Sequence, residues 1–455
     1  MRRYLVALGT GAGLMVSSGG AAQPATATVT GGPSALGTRV MAKPLSGTPH
    51  FSVKNANPVQ QVRQLVQCGS TMYAVGSFSQ ILQRNHVFER HNIFSFRATP
   101  PFKVTSWQPN VRGTVNSITF RMGRCSHAYI GGNFNSVNGH RARKIAEINT
   151  RTGGLVKRFA HNASAQVETL QAVNGRILVG GDYRSINGSS ANPYMTSLNP
   201  GTGRPNEFVH LRISGHIRFP GVVGNVTHVY NQELSHNRKL DLVIGDFASV
   251  RGIKRQQMFM INVGGAKAKL TRWRSPAFNG HCDVHEPLYV RAASWSPSDG
   301  RIYIATTGRF THGSSPKYPL TGLCDVAAAF PAAEKLVYPI WKNYTGCDSL
   351  YSTAADGSAA YFGGHDRWSM NPRGCNFKGR GAITASGMEG LSPTNGHLLL
   401  NKYHTAGYYE RSRGHGADDM LRTRAGLWIA SDNFGHSQTC GFTSNLSGIC
   451  FLPNR

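Results

Sequence analysis

The sequence predicts an all-β protein, and three observations agree on this. A short apolar segment that ends in glycine recurs along the chain, turn signals separate its copies, and no sustained helical period of apolar residues lies between them. The 53 glycines follow no collagen period, so they indicate turns and close backbone contacts. Hydrophobic residues make up 40% of the 455 residues, which is enough for a packed core.

The repeated segment is clearest in two copies. Residues 129–134 read Tyr-Ile-Gly-Gly-Asn-Phe and lead to Asn138-Gly139, and residues 178–183 read Leu-Val-Gly-Gly-Asp-Tyr and lead to Asn187-Gly188. Weaker copies begin at Tyr73, Leu242, Tyr303, Tyr361 and Trp428. We predict that each copy is a strand ending in a turn. The apolar start favours a buried strand, the glycine pair lets another backbone or an aromatic ring approach, and Asn-Gly is a hairpin signal.

The intervals between copies have room for about four short strands in about sixty residues. Trp107 and Trp273 recur in them, each shortly before a proline, and are predicted to pack in the core. Together these patterns predict a single β-propeller over residues 46–455 with seven four-stranded blades, closed by strands from both termini. We expect a C-terminal strand around residues 449–453 to complete the first blade beside N-terminal strands.

The segment Tyr-Ile-Gly-Gly-Asn-Phe-Asn-Ser-Val-Asn-Gly, followed by Ile-Ala-Glu-Ile-Asn and Thr-Gly, resembles a bacterial propeller repeat of about sixty residues. That repeat is common in exported actinobacterial proteins. The resemblance spans residues 46–455 and is most specific in the second and third copies. It implies a propeller and a secreted location, and it implies no single activity, because propellers host both binding and catalysis.

The N-terminus is predicted to be a secretory signal over residues 1–27, followed by a flexible linker over 28–45. Arg2 and Arg3 form a basic start, an apolar stretch follows, and small residues allow cleavage near Ala22 or Ala27. The alternative is a membrane anchor, but the apolar run is short for a span, and no later segment offers 18 uninterrupted apolar residues. We therefore expect a secreted protein with no transmembrane segment in its mature chain.

Eight cysteines follow the signal, and an even number in an exported protein favours four disulfides. Pairing neighbours along the chain predicts Cys68–Cys125, Cys282–Cys324, Cys347–Cys375 and Cys440–Cys450. Free buried thiols are the alternative. A cysteine zinc site is disfavoured, because no C-x-x-C pair occurs.

Charge is strongly unbalanced, with 49 Lys and Arg against 21 Asp and Glu and a net charge of +28. Such a surface attracts an anionic cell-envelope polymer or an acidic extracellular protein, or it simply keeps a secreted protein soluble. The basic stretches, such as Arg141 to Lys144, form no recognised nucleic-acid module.

Signatures of catalysis are absent from the sequence, which leaves open whether the protein is an enzyme. Neither a G-x-S-x-G serine motif nor an H-E-x-x-H zinc motif occurs. A carboxylate pair for glycoside cleavage remains possible in principle. The candidate residues are Glu286, Glu334, Glu389 and Glu410.

The densest histidine cluster is His281, Asp283 and His285, to which His365 or Asp366 from another blade would add a ligand. We weigh a divalent metal site there against ordinary surface histidines. No other cofactor is predicted.

Acids recur at one place of the repeat, where Asp182, Asp246 and Asp432 stand, with Asn133 at the equivalent position and Asp366 one residue later. They either line a central channel and bind cations or accept hydrogen bonds within their own turns, and we favour the turns. Trp368 has no repeat counterpart and is a candidate ligand contact.

Three functions fit these features. The first is a non-enzymatic binding or scaffolding propeller that engages an anionic envelope polymer or a protein partner. The second is an extracellular polysaccharide hydrolase or lyase. The third is a purely structural support for an assembly, for which large exposed apolar patches would be evidence.

Overall fold

A computed structural model describes residues 40–41, 44–52, 59–121, 123–216, 227–279, 282, 288–308, 322–333, 335–375, 377–385, 387–399, 416–433 and 446–454. These residues are all-β, with a 3-10 turn at Pro276–Asn279. In the same ranges, no helix has the length and apolar character needed to cross a membrane.

The first fourteen strands of the described residues end at Asn206. They are β1 (His50–Ser52), β2 (Gln61–Cys68), β3 (Thr71–Ser77), β4 (Gln80–Gln83), β5 (His86–Glu89), β6 (Ile93–Arg97), β7 (Val111–Phe120), β8 (His127–Val137), β9 (His140–Arg141), β10 (Ile145–Asn149), β11 (Val167–Val173), β12 (Arg176–Gly181), β13 (Met195–Leu198) and β14 (Pro205–Asn206).

The remaining described strands begin at Ile213. They are β15 (Ile213–Ser214), β16 (His228–Leu234), β17 (Leu240–Asp246), β18 (Ser249–Val250), β19 (Ile253–Lys254), β20 (Met258–Asn262), β21 (Lys269–Leu270), β22 (Tyr289–Trp295), β23 (Arg301–Thr307), β24 (Val326–Pro331), β25 (Trp341–Tyr344), β26 (Leu350–Ala355), β27 (Ala360–Gly364), β28 (Trp368–Ser369), β29 (Ile383–Thr384), β30 (Met388–Leu391), β31 (Asp419–Arg422), β32 (Gly426–Ala430) and β33 (Leu446–Pro453).

Each repeat segment forms the second strand of an antiparallel sheet. The strand orders are β2-β3-β6, β7-β8-β10, β11-β12-β13-β14, β16-β17-β20-β21, β22-β23-β24-β25, β26-β27-β30 and β31-β32-β33-β1-β4-β5. The prediction of four strands per repeat holds for the sheets that begin with β11, β16 and β22. The sheet that begins with β31 has six strands, because β4 and β5 follow β1. In the three remaining sheets a single bridge occupies the fourth position, between Phe96 and Val104, between Ile148 and Leu155, and between Leu391 and Leu398.

The first strands of these sheets contact one another in chain order. β2 lies against β7, β7 against β11, β11 against β16, β16 against β22, β22 against β26, β26 against β31, and β31 against β2. Apolar side chains fill the space between neighbouring sheets, as in the cluster that joins Ile244 and Met260 to Ile304 and Phe330. Burial between sheets is therefore the main source of stability.

The two chain ends meet in one sheet, although not as predicted. β1 pairs antiparallel with β33, so that His50 faces Gly448, and β33 pairs with β32. The N-terminal strand thus joins the sheet of the last repeat, whereas we expected the C-terminal strand to join the sheet of the first. Val40 falls in the predicted linker, yet it is fully buried and bridges Asn454.

Each glycine of the repeated pair is required by a different close contact. A Cβ on Gly132 would lie 2.2 Å from the carbonyl oxygen of Thr114 in the paired strand, and a Cβ on Gly131 would lie 2.4 Å from the Val167 side chain of the next sheet. The second glycine therefore admits the backbone of its own sheet and the first admits the neighbouring sheet. This confirms the predicted close approach.

The Asn-Gly turns and the core tryptophans are also confirmed. Asn138 and Gly139 have φ of 49° and 78°, the left-handed pair that a tight hairpin turn requires. Trp107 and Trp273 are buried, and each indole N–H donates to a backbone carbonyl of the following repeat, that of Asn149 at 3.2 Å and that of Pro331 at 3.0 Å.

Three predicted disulfides are present. Cys68–Cys125, Cys282–Cys324 and Cys347–Cys375 have Cα–Cα distances of 5.7, 5.6 and 4.6 Å. The fourth predicted pair, Cys440–Cys450, involves Cys440, which lies outside the described residues.

We predict that Gly132→Ala lowers the free energy of unfolding by about 2 kcal/mol or more, because its methyl group would overlap the Thr114 carbonyl. Gly265→Ala is the matched control, since a Cβ there would find its nearest atom at 3.7 Å in an exposed turn. Its effect should stay within about 0.5 kcal/mol. Urea unfolding of both variants measures the difference, and equal stabilities would contradict the packing role of the repeat glycines.

Candidate functional site

In six of the first strands a β-bulge takes one residue out of the pairing register. In the last sheet, Asp418 stands directly before β31 and donates its N–H to the carbonyl of Ala430, the residue that also pairs with Asp419. We call these seven residues the bulge set. Its members are Arg63, Asn116, Glu168, Tyr230, Arg291, Tyr351 and Asp418.

Hydrogen bonds link three consecutive members of the bulge set. Arg63 donates from Nη1 to Oδ1 of Asn116 at 2.7 Å, and Asn116 donates from Nδ2 to Oε2 of Glu168 at 2.8 Å. Asn116 and Glu168 are buried. The guanidinium, the amide and the carboxyl group thus form one chain across three sheets.

Two further members of the bulge set, Arg291 and Tyr351, contact each other through an aromatic ring. The Arg291 guanidinium carbon lies 5.7 Å from the ring centre of Tyr289 and 5.8 Å from that of Tyr351. Arg291 also donates from Nε to the hydroxyl of Thr307 at 3.1 Å. The Tyr351 hydroxyl is 3.2 Å from Nδ1 of His365. This part combines a cation, two phenols and an imidazole.

Asp418 connects the two parts electrostatically. Burial lowers the pKa of Arg63, while the negative charges of Glu168 and Asp418 raise it. Burial raises the pKa of Tyr351, and Asp418 is among the acids that raise it further, against the effect of Arg291. Asp418, in the last sheet, therefore acts electrostatically on bulge-set members in both neighbouring sheets.

Two carboxyl groups of the site hold their protons unusually tightly. Burial raises the pKa of Asp182 to about 6. Burial also raises the pKa of Glu168 well above its ordinary value, Asp182 adds to the rise, and Arg63 opposes it. Asp182 was expected to bond within its own turn, but its Oδ1 has no hydrogen-bond partner and lies 4.0 Å from Nδ1 of His228 in the next sheet.

Chemically, this arrangement offers both donors and acceptors at one level of the sheets. Arg291 and Tyr351 are half-buried and can donate, and the half-buried Asp182 and Asp432 can accept. Such a mixture suits a polar ligand with several hydroxyl groups better than a simple anion.

Sequence reasoning missed the bulge set because its members share no residue type. Arginine, asparagine, glutamate, tyrosine and aspartate all occur at this position. The usable signal is the residue before it, which is valine five times, then leucine and alanine: Val62, Val115, Val167, Val229, Val290, Leu350 and Ala417. The sequence therefore contains a second, weaker repeat of three positions. The first is an apolar residue, the second varies freely, and the third is usually polar.

Side chains in the first strands also bind the next sheet directly. Gln64 accepts from the Ile118 N–H at 2.6 Å, and Ser117 accepts from the Leu170 N–H at 3.0 Å. Asp419 accepts from the Leu65 N–H at 2.8 Å, which joins the last sheet to the first. The remaining junctions are bridged by Gln171 to the Gln232 carbonyl, Asn231 to the Arg291 carbonyl, Ser294 to the Thr353 hydroxyl, and Ser352 to the Ala417 carbonyl.

The predicted metal site remains a prediction. His281, Asp283 and His285 lie outside the described residues, and His365 faces Tyr351 with ring centres 5.3 Å apart. Within the described parts of the chain, no group of three or more metal-ligand side chains occurs.

Other predicted candidates have structural partners. Arg367 lies 4.3 Å from the ring centre of Trp368 and binds Asp348 at 2.7 Å, so one face of the indole is already covered. Ligand binding by Trp368 stays a prediction. Glu389 is fully buried, whereas Glu286, Glu334 and Glu410 lie outside the described residues.

Comparisons with known proteins leave the family open. No family model matches the chain, and no curated protein matches it. Among solved structures, U3-55K has a TM-score of 0.48 and 10% identity, covering 90% of this chain and 99% of that one. The WD40 repeats of RRP9 have a TM-score of 0.46 and 10% identity, covering 91% and 100%. The computationally designed Ika8 protein has a TM-score of 0.46 and 9% identity, and the match covers 91% of this chain and 99% of that one.

At these values the similarities decide neither the fold nor the function. The resemblance to exported actinobacterial propeller repeats therefore also stays a prediction.

Asp419 should make stability depend on pH. Burial raises its pKa to about 7, far above its ordinary value near 4, so the folded state binds the proton more tightly than the unfolded chain. This contribution is complete below about pH 4 and is lost as the pH rises through about 7. We predict that Asp419→Asn, which can still accept from Leu65, reduces the loss of stability between pH 5 and pH 8.

Asp419→Ala is the contrasting variant. It leaves the buried Leu65 N–H without an acceptor and should lower the free energy of unfolding by about 1–3 kcal/mol at either pH. Chemical denaturation at both pH values separates the two effects. An unchanged pH dependence in the asparagine variant would show that Asp419 is not the responsible group.

Proposed function

We propose that the chain is a secreted β-propeller of seven blades, closed by its two termini, which binds rather than transforms its partner. The seven sheets whose first strands touch in chain order support the blade count. The contact between β31 and β2, and the pairing of β1 with β33, support closure. Three disulfides agree with an extracellular location.

The observation that carries the choice of partner is the unequal burial of charge. Among the described residues, twelve Asp or Glu are buried, compared with three Lys or Arg. The buried acids are Glu147, Glu168, Glu233, Asp241, Asp246, Asp325, Asp348, Asp356, Asp366, Glu389, Asp418 and Asp419. The buried cations are Arg90, Arg255 and Arg422. With 21 acids and 49 Lys and Arg in the sequence, the accessible surface is more cationic than the net charge of +28 indicates.

Such a surface is suited to a polyanion, and we propose an anionic cell-envelope polymer as its partner. Several cations converge locally. Besides burial, which is the largest cause, the charges of Arg158 and Arg121 both lower the pKa of His127, and both arginines are exposed. An extracellular protein with an acidic surface would meet the same cations and is the second partner class.

Binding to a poly(glycerol phosphate) chain should weaken steeply with salt. Because bound cations displace counterions, we expect the affinity to fall at least about tenfold between about 50 and 200 mM salt. A neutral dextran of similar length should not bind. Arg121→Gln with Arg158→Gln should weaken binding more than Lys239→Gln with Lys267→Gln, a pair of exposed lysines that removes the same charge.

Fluorescence anisotropy of the labelled polymer measures these affinities. Absent or salt-independent binding would contradict the proposal. The polymer should also keep its length during incubation. Shortening of an anionic polysaccharide such as polygalacturonate that disappears in Asp182→Asn would favour the second candidate, an extracellular polysaccharide hydrolase or lyase, for which the elevated pKa of Asp182 beside Glu168 is the specific observation.

A further inference from the structure

A pocket of about 280 Å³ lies beside the 3-10 turn Pro276–Asn279, away from the bulge set. Its lining includes three apolar and three cationic side chains. They are Ile253, Met258, Leu336, Lys254, Arg255 and Arg274. Ile253 and Leu336 are exposed, at 49% and 44%. The pocket therefore combines an apolar wall with concentrated positive charge.

Arg255 is built into this pocket but is incompletely satisfied. Its side chain is only 6% exposed. Nη1 donates to the Lys254 carbonyl at 2.9 Å and Nη2 to the Thr271 carbonyl at 3.3 Å, while the buried Nε has no hydrogen-bond partner. The Nε of Arg90 in the first repeat is likewise buried without a hydrogen-bond partner. The feature specific to Arg255 is that its two Nη atoms donate only to backbone carbonyls, whereas Arg90 also has a side-chain acceptor.

The nearest charge to Arg255 is another cation. Burial, and then the positive charge of Arg274, lower the pKa of the Arg255 guanidinium. No ion pair to either arginine is found in the described ranges. Two neighbouring guanidinium groups with no carboxylate between them form a site for an anion.

The first repeat contains the same motif with one further acceptor. Arg90 occupies the position of Arg255 and likewise donates to the preceding carbonyl and to that of Thr105. There, Nη1 also donates to Oε1 of Gln108 at 2.8 Å, and Gln108 follows Trp107 as Arg274 follows Trp273. The fourth repeat has thus replaced the acceptor with a second cation.

We propose that this pocket binds a small organic anion with a short alkyl chain. The charged group would lie between Arg255 and Arg274, and the chain against Ile253, Met258 and Leu336. The site differs from the proposed polymer-binding surface, because a polymer backbone would gain nothing from the apolar wall. A free amphiphile, rather than a lipid within a membrane, suits a pocket of this volume.

Isothermal titration calorimetry of the full chain with octanoate tests the proposal. We expect saturable binding with one site, and binding of inorganic phosphate at least about tenfold weaker, because phosphate lacks the chain. Arg274→Gln reproduces the arrangement of the first repeat, so it should fold normally and lose at least about tenfold in octanoate affinity. Arg272→Gln, which removes a neighbouring exposed cation, is the matched control and should bind as the wild type does.

Three results would overturn the proposal. One is the absence of octanoate binding to the wild-type chain. Another is equal octanoate affinity in Arg274→Gln and Arg272→Gln, with unfolding temperatures showing that both variants are folded. The third is binding to vesicles that contain an anionic lipid without any binding of free octanoate, which would assign the anion to a membrane surface.

Discussion

Hydrogen bonds from side chains to the neighbouring first strand hold the sheets in place, and the bond from Leu65 to Asp419 joins the last sheet to the first. It joins residues 354 positions apart, at 2.8 Å, inside the protein. Each such bond adds only about 1 kcal/mol, but an unmet buried N–H would cost more. The bonds fix the distance between first strands, and that distance explains why glycine is needed at Gly131, where the next sheet presses against the backbone.

The same packing separates the charges. Many acids lie inside, where Arg422 at 3.1 Å compensates Asp356 and where Asp418 influences both Arg63 and Tyr351, whereas only three Lys or Arg residues of the described ranges are buried. A polar interior between the first strands and a cationic exterior can serve different partners. The proposed polymer would meet the exterior, and the bulge set suits a neutral polar ligand.

Much of the fold could be predicted because its signals are local. Alternating apolar residues, the glycine pair and Asn138-Gly139 each determine a strand, a close contact or a turn without reference to distant residues. Neighbouring cysteines allowed three disulfides to be predicted correctly. The placement of β1 in the last sheet could not be predicted, since a three-residue strand carries too little pattern to select its partner.

The candidate site could not be predicted for a different reason. A bulge follows from how two strands pair, and its side chain is free to vary, so Arg63, Glu168 and Tyr351 share a place but no chemistry. Likewise, Arg255 and Arg90 look alike in sequence, and only the contact with Arg274 or Gln108 distinguishes a site from a structural bond.

Native-state hydrogen exchange of the Leu65 amide tests most directly whether the last sheet is bonded to the first. The account predicts that this amide exchanges as slowly as those of Ile118 and Leu170, which make the equivalent bonds at two other junctions. Rapid exchange at Leu65, with Ile118 and Leu170 still protected, would contradict the proposed closure of the sheets into one ring.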